Sequence, residues 1–292
     1  SSDNIDGGAG TDYIYAGTTG AHFEDLATPE TVDGGEGTDI LFFNGDNTTI
    51  TAQDISNVKN VELFYFSGTG TDTITFNDAY FTNAGVTNQI VRDYAGGASD
   101  TFTLTATSLS AANSVTYQTK LTTAVAETLN GGAGDDTFEY TTNVATQLAA
   151  ADTVNGGKGD DTLHIIMGTT ALTAASQTGV TNIETIKFTG TGSLAIGYTL
   201  ADATFVTTSL ASTSGNGTSA VIAGVVDASG MTGSGVLTFT GSAEDDSGIT
   251  ITGGNGNDIL TGSSTAAIGD TISGGNGDDV IDGDAGIDTL NG

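Results

Sequence analysis

The sequence predicts an all-β fold in which short parallel strands coil into a β-solenoid. Three observations predict it. A hexapeptide rich in glycine and aspartate recurs along the chain, acidic residues recur at nine-residue spacing, and the segments between are rich in Thr, Val and Ile. β-Branched residues favour strands, and self-similarity at a short fixed period indicates a repeat architecture rather than ordinary globular domains.

The recurring hexapeptide is Gly-Gly-x-Gly-x-Asp, followed two residues later by an apolar residue. Glycine tolerates positive φ and lets backbones approach closely, so three glycines in six residues suit a tight turn. The apolar residue then marks a very short strand with one inward side chain. Six copies begin at Gly7, Gly34, Gly131, Gly156, Gly253 and Gly274 and end at Asp12, Asp39, Asp136, Asp161, Asp258 and Asp279. A seventh copy, Gly283 to Asp288, has Asp284 in place of the second glycine.

A second acidic residue stands nine positions before most of these aspartates, which makes the repeating unit a nonapeptide. These earlier acids are Asp3, Glu30, Glu127, Asp152 and Asp270. Two nonapeptides are predicted to form one coil of about 18 residues, so that Asp12 to Glu30 is one full coil.

A longer period of 122 residues lies above the nonapeptide. It relates Gly34 to Gly156, Phe66 to Phe188 and Gly131 to Gly253. The sequence therefore predicts a first solenoid unit over 1–124, a second over 125–246, and a truncated third over 247–292. Because the chain starts and stops abruptly within the pattern, we expect it to be a fragment of a longer protein.

The composition indicates that the turns bind a divalent cation. The chain has 36 acidic and 5 basic residues, a formal net charge of -31. Such a surface repels nucleic acid and anionic lipid but attracts divalent cations. Calcium takes six to eight oxygen ligands, which one turn cannot supply but two stacked turns can. One inward apolar residue per nine contributes about 1.5–3 kcal/mol, against about 1–2 kcal/mol per ordered residue. This thin core predicts that Ca²⁺ binding is linked to folding.

The hexapeptides, for example Gly131-Gly132-Ala133-Gly134-Asp135-Asp136, resemble the RTX (repeat-in-toxin) nonapeptide family. The resemblance implies a right-handed parallel β-roll and type I secretion, with folding on reaching external calcium. It also implies that the sixth-position aspartates are side-chain ligands and that glycine carbonyls complete each site. Two further stretches, 55–62 and 227–233, are similar to RTX-type S-layer proteins of Gram-negative bacteria, in which calcium-loaded solenoids form a lattice.

No catalytic constellation stands out, so we expect a protein that is not an enzyme. There is no cysteine, and the two histidines, His22 and His164, lie far apart, whereas a zinc site needs three or four N or S ligands. No apolar run is long enough to span a membrane.

The leading hypothesis is a secreted, self-assembling component of a cell-surface layer, with cell-surface polysaccharide a further partner through regions outside this chain. A region of a large RTX adhesin and the accessory module of a secreted enzyme remain alternatives.

Overall fold

The computed structural model describes residues 4–16, 31–94, 100–119, 126–141, 148, 152–166, 179–191, 195–200, 224–245, 247–266 and 268–292. Within these residues the chain forms 27 strands and one short helix. The strand pairs among them run parallel, with consecutive strands of the chain placed in different sheets. The predicted all-β parallel solenoid is therefore confirmed.

The chain divides into two compact units, residues 1–139 with 151–161, and residues 140–150 with 162–292. The strands of the first unit are β1 (Asn4–Asp6), β2 (Ala9–Gly10), β3 (Tyr13–Tyr15), β4 (Thr31–Asp33), β5 (Glu36–Gly37), β6 (Ile40–Phe43), β7 (Thr49–Ile50), β8 (Val58–Lys59), β9 (Leu63–Phe66), β10 (Thr71–Thr75), β11 (Asn88–Asp93), β12 (Thr101–Thr105), β13 (Ser114–Thr119), β14 (Ala126–Asn130) and β16 (Thr153–Asn155), together with the start of β15 (Thr137–Thr141). One sheet of this unit has the order β13-β11-β9-β6-β3, and a second has the order β16-β14-β12-β10-β7. Smaller sheets pair β1-β4-β8 and β2-β5.

The second unit is built in the same way. Its strands are β17 (Thr162–Ile166), β18 (Val180–Thr181), β19 (Thr185–Gly190), β20 (Ala195–Thr199), β21 (Gly224–Met231), β22 (Val236–Thr240), β23 (Ile249–Thr252), β24 (Ile259–Thr261), β25 (Thr271–Ser273), β26 (Val280–Asp282) and β27 (Thr289–Asn291). One sheet has the order β27-β25-β23-β21-β19-β17 and the other the order β20-β22-β24-β26. Each turn before a strand is therefore brought beside the turn of the next coil.

The predicted coil length of 18 residues is wrong for most of the chain. Paired residues lie 18 positions apart between β25 and β27, where Thr271 is opposite Thr289. Elsewhere the spacing is longer: Tyr13 is opposite Ile40, 27 residues on, and Thr101 is opposite Ala126. Asp12 is stacked on Asp39, 27 residues further along the chain; Glu30, which the sequence placed one coil after Asp12, lies outside the described residues. The extra residues enlarge each coil beyond two bare nonapeptides.

The predicted thin core is also wrong outside the glycine-rich turns. The longer strands alternate buried and outward side chains, as a strand with period two requires. Large aromatic side chains fill the interior, and Phe66, Tyr117 and Phe188 are fully buried. Full burial of such a side chain contributes about 1.5–3 kcal/mol, so these coils have a substantial core of their own. By contrast Leu290, the inward apolar residue of a bare nonapeptide coil, remains about half exposed.

One helix, α1 (Asp78–Ala84), interrupts the strands of the first unit, and the sequence did not predict it. Asn77 caps its start, because its side chain accepts a 3.0 Å hydrogen bond from the Tyr80 N–H. Gly85 ends the helix with φ of 72°, a conformation that glycine adopts readily. Tyr80 and Phe81 pack against the buried ring of Phe76. Seven residues are far too few to cross a membrane, and no described helix has the length and apolarity to do so.

Candidate metal-binding turns

The Gly-Gly-x-Gly-x-Asp turns stack in pairs, one coil apart. In each pair the third residue of the later turn donates its backbone N–H to the carbonyl of the second glycine of the earlier turn. The distances are 2.7 Å from Glu36 to Gly8, 3.0 Å from Lys158 to Gly132, and 3.0 Å from Asn276 to Gly254. The stacking of turns that the sequence predicted is therefore present in all three pairs.

The sixth-position aspartates form a second link within each pair. The backbone N–H of the earlier aspartate donates to Oδ1 of the later one, at 2.9 Å from Asp12 to Asp39, 2.7 Å from Asp136 to Asp161, and 2.8 Å from Asp258 to Asp279. The Oδ2 atom turns back toward its own turn in Asp136 and Asp258, where it accepts from Gly132 N–H and Gly254 N–H. In Asp39 and Asp279 one carboxylate oxygen is thus directed at the preceding turn and the other at the first glycine of its own turn.

The first glycine of the motif is required because the aspartate of its own turn and, at Gly7, Gly34 and Gly253, a backbone carbonyl of the next coil lie against its α carbon. A Cβ added at Gly7 would lie 2.9 Å from Asp12 Oδ2, and one at Gly34 would lie 2.7 Å from Asp39 Oδ2. At Gly253 the distance to Asp258 Oδ2 would be 2.6 Å, shorter than van der Waals contact allows. The same carboxylate oxygen faces Gly131, Gly274 and Gly283, and the carbonyl of Gly156 faces Gly131. In each of these turns the carboxylate of the aspartate thus lies against the α carbon of the first glycine.

The seventh copy adopts the same arrangement despite its substitution. Asp284 stands where other copies have a positive-φ glycine, and it takes φ of 58°, a left-handed conformation that aspartate tolerates. The partner of this copy is not another full motif. Asp270 donates its N–H to Asp288 Oδ1 at 2.9 Å, and Gly262 lies against Asp270 Oδ2 as a first glycine would. Asp270 therefore takes the place of a sixth-position residue, in a copy with three extra residues before it.

The other acids predicted nine residues before a motif also lie at stacked positions. Glu127 and Asp152 are nearly fully buried, and the Glu127 N–H donates to Asp152 Oδ1 at 3.0 Å. Glu127 Oε1 also accepts a 2.7 Å hydrogen bond from the Tyr117 hydroxyl. Asp3 and Glu30 lie outside the described residues.

Burial determines the electrostatics of these carboxylates. Asp39, Asp136, Asp161 and Asp258 have no measurable solvent exposure. Burial raises the pKa of Asp136 to about 6, even though hydrogen bonds from Gly132 and Val115 lower it. Burial likewise raises the pKa of Asp258 and of Asp270. Buried carboxylates cost folding free energy unless a cation neutralises them.

Basic side chains cannot neutralise this charge, because five basic residues face 36 acids. Between described residues, Lys59 pairs with Asp33 at 2.6 Å, and that carboxylate is not at a motif position. At Asp12, Asp39 and Asp279 the Oδ2 atom is buried and has no hydrogen-bond partner. Oxygens of this kind, together with glycine carbonyls, are the donors that calcium prefers. No three His, Cys, Asp or Glu side chains converge within the part of the chain described, so each ion would need carbonyl ligands from both turns.

Sequence patterns missed some members of the stacks. Glu62 continues the stack of Asp12 and Asp39, since its Oε2 accepts a 2.7 Å hydrogen bond from the Asp39 N–H. The signal was its recurrence as Glu184, 122 residues on. In the degenerate copy at 241–246 the buried acid is Glu244, which accepts from Ser247, whereas Asp245 is exposed.

Fold and turns together define a parallel β-solenoid with cation-binding turns. The RTX calcium-binding nonapeptide repeat family matches residues 1–18, 31–50, 122–139, 148–164, 238–265 and 269–292. The chain therefore carries RTX calcium-binding repeats over a little under half its length, and proteins with such repeats are typically secreted. No curated protein and no solved structure matches the chain.

Proposed function

We propose that the chain is a calcium-dependent structural component of a bacterial surface layer, secreted by a type I system and assembled from copies of itself outside the cell. The observation that carries the proposal is the stacking of buried carboxylates along each unit, of which Asp39, Asp136 and Asp258 are fully enclosed. A solenoid of this kind requires an external cation to neutralise its buried carboxylates.

The ions would be held by the sixth-position aspartates with glycine carbonyls of the two stacked turns. Calcium supplies positive charge between adjacent coils when it is bound. The chain's own groups position the ligands: the first glycine of each turn leaves room for the carboxylate, and backbone N–H groups donate hydrogen bonds to one of its oxygens. Because an ion that binds only the folded form stabilises it, the chain would remain unfolded at low intracellular calcium and fold after export.

A structural role is favoured over catalysis because the acidic pairs have another explanation. At Asp135-Asp136 the second carboxylate is buried between stacked turns and the first is exposed. Adjacent strand residues point to opposite faces, so such a pair does not form the facing carboxylates of a glycosidase. His164 lies on β17 and contacts the Thr189 hydroxyl at 2.9 Å, as expected of a surface strand residue; His22 lies outside the described residues.

The test is assembly of the purified chain. After calcium-free purification, calcium is added, and negative-stain electron microscopy is used to look for two-dimensional sheets, with Mg²⁺ as the control. Calcium-specific sheets are expected. Folded, monomeric particles at all concentrations would contradict self-assembly and favour the RTX adhesin or enzyme-module alternatives.

A further inference from the structure

A stacked pair of turns also occurs where the chain lacks the full hexapeptide. The later turn, 68–72, lies within 51–121, which the RTX family does not match. The Thr69 N–H donates to Asp46 Oδ1 at 2.8 Å, and the Asn47 N–H donates to the Thr69 carbonyl at 3.0 Å. The Thr48 N–H donates to Asp72 Oδ1 at 2.7 Å. This is the link seen between sixth-position aspartates and the turn of the preceding coil.

Two buried oxygens of this pair have no hydrogen-bond partner. They are Oδ2 of Asp72, whose side chain is 1% exposed, and Oδ1 of Asn44, at the start of the earlier turn. Leaving such atoms unpaired in the interior is costly. Burial is the main cause that raises the pKa of Asp72 to about 6, and the negative charges of Asp100 and Asp46 raise it further. The ionised carboxylate of Asp72 is therefore costly in the absence of a cation.

The second 122-residue repeat fills the same positions differently. Counting 122 residues on, Asn44 corresponds to Ile166 and Asp72 to Leu194. Neither of these apolar side chains can ligate a cation. The first repeat instead carries a carboxylate and an amide, which are useful inside only when a ligand pairs with them.

We propose that the turns 44–48 and 68–72 hold a further calcium ion, with Asp72 as its charged ligand and Asn44 as a neutral oxygen ligand. Amide, carboxylate and carbonyl oxygens are all ordinary calcium ligands. The exposed carboxylate of Asp46 lies at the rim and supplies long-range attraction for the ion. The site is proposed for the first repeat alone, because the sequence of the second has Leu194, which cannot ligate a cation, at the position equivalent to Asp72.

The test is the number of calcium ions bound per chain. Wild-type protein and Asp72→Leu, which copies the residue of the second repeat, are dialysed to equilibrium in saturating calcium and analysed by atomic spectroscopy. The variant is expected to bind one ion fewer, with unchanged far-UV circular dichroism. Asp54→Asn, an equal charge change at a surface turn where Asn keeps the acceptor for Thr51, is the control and should bind the wild-type number.

If Asp72→Leu does not fold, Asn44→Ile and Asp72→Asn are compared by cadmium-113 NMR, in which each site gives one resonance. Loss of a single resonance in both supports the site. An unchanged ion count, or an equal loss in Asp54→Asn, overturns it. The inference uses the same ion as the proposed function but does not depend on lattice formation, so either can fail without the other.

Discussion

The backbone N–H of Asp136 donates a 2.7 Å hydrogen bond to Oδ1 of Asp161, 25 residues further along the chain. Both carboxylates are fully buried. The bond joins equivalent residues of successive coils, so the position that carries negative charge in one turn is adjacent to the same charge in the next. Like charges placed close together repel in a poorly solvated interior, so this relationship predicts that the fold depends on an ion from outside.

Calcium removal should therefore unfold the chain. In chelator the far-UV circular dichroism spectrum should lose its β signature, and calcium at about 10⁻⁴–10⁻³ M, the range of extracellular modules, should restore it. Magnesium, which demands smaller octahedral sites, should restore it poorly. A spectrum that is the same with and without chelator would refute the dependence.

Substitution of individual aspartates should change the calcium stoichiometry only where the aspartate lies between stacked turns. Asp136→Ala and Asp161→Ala should each lower the calcium stoichiometry, because each removes a buried ligand between stacked turns. Asp245→Ala, which alters an exposed acid, should leave it unchanged. Isothermal titration calorimetry distinguishes the three variants, and equal effects in all of them would refute the assignment of the ligands.

The first glycine of the motif should not accept even one methyl group. Gly253→Ala places a carbon 2.6 Å from Asp258 Oδ2 and closer still to the Gly274 carbonyl oxygen, and overpacking of this kind typically costs about 1–3 kcal/mol. The calcium concentration at half-folding should rise. Gly292→Ala is a suitable control, since nothing lies within 4 Å of the added carbon. Equal destabilisation in both would show that the loss of a glycine, and not the close contacts at Gly253, accounts for the effect.

The calcium-free protein should become more stable on acidification. The pKa of Asp136 in the folded state is about 6, above its ordinary value of 3.8, so the folded state binds more protons than the unfolded state between about pH 4 and 6. Stability without calcium should fall as the pH rises through that window and remain low above it. Far-UV circular dichroism in chelator from pH 8 down to pH 4 measures this: part of the β signature lost at neutral pH should return, and a signature that does not return on acidification would contradict it.

The aromatic core should stabilise each unit independently of the turns. Phe188→Ala and its counterpart Phe66→Ala remove fully buried rings, and each should cost about 3–5 kcal/mol in urea denaturation at saturating calcium. Tyr13→Ala, at a side chain 59% exposed, should cost much less. Similar values for all three would mean that the ions alone hold the fold.

The conformations of particular residues show how far the 122-residue period extends. Asn60 and Asn182, one period apart, both adopt positive φ, of 52° and 53°. Val115 and Leu237 are related in the same way, and each donates its N–H to a sixth-position aspartate. The unit boundaries at 124 and 246 stay a prediction.

The sequence by itself determined the strands, the glycine turns and the aspartates at their ends, because these depend on local backbone freedom and on alternation along a few residues. It could not determine coil length, since that depends on which distant strand pairs with which. For the same reason it did not assign Glu62 or Asp72, whose role depends on the turn stacked beside them. Only the tertiary structure brings Asp12 against Asp39, because hydrogen bonding between coils and burial of the aromatic core select the register.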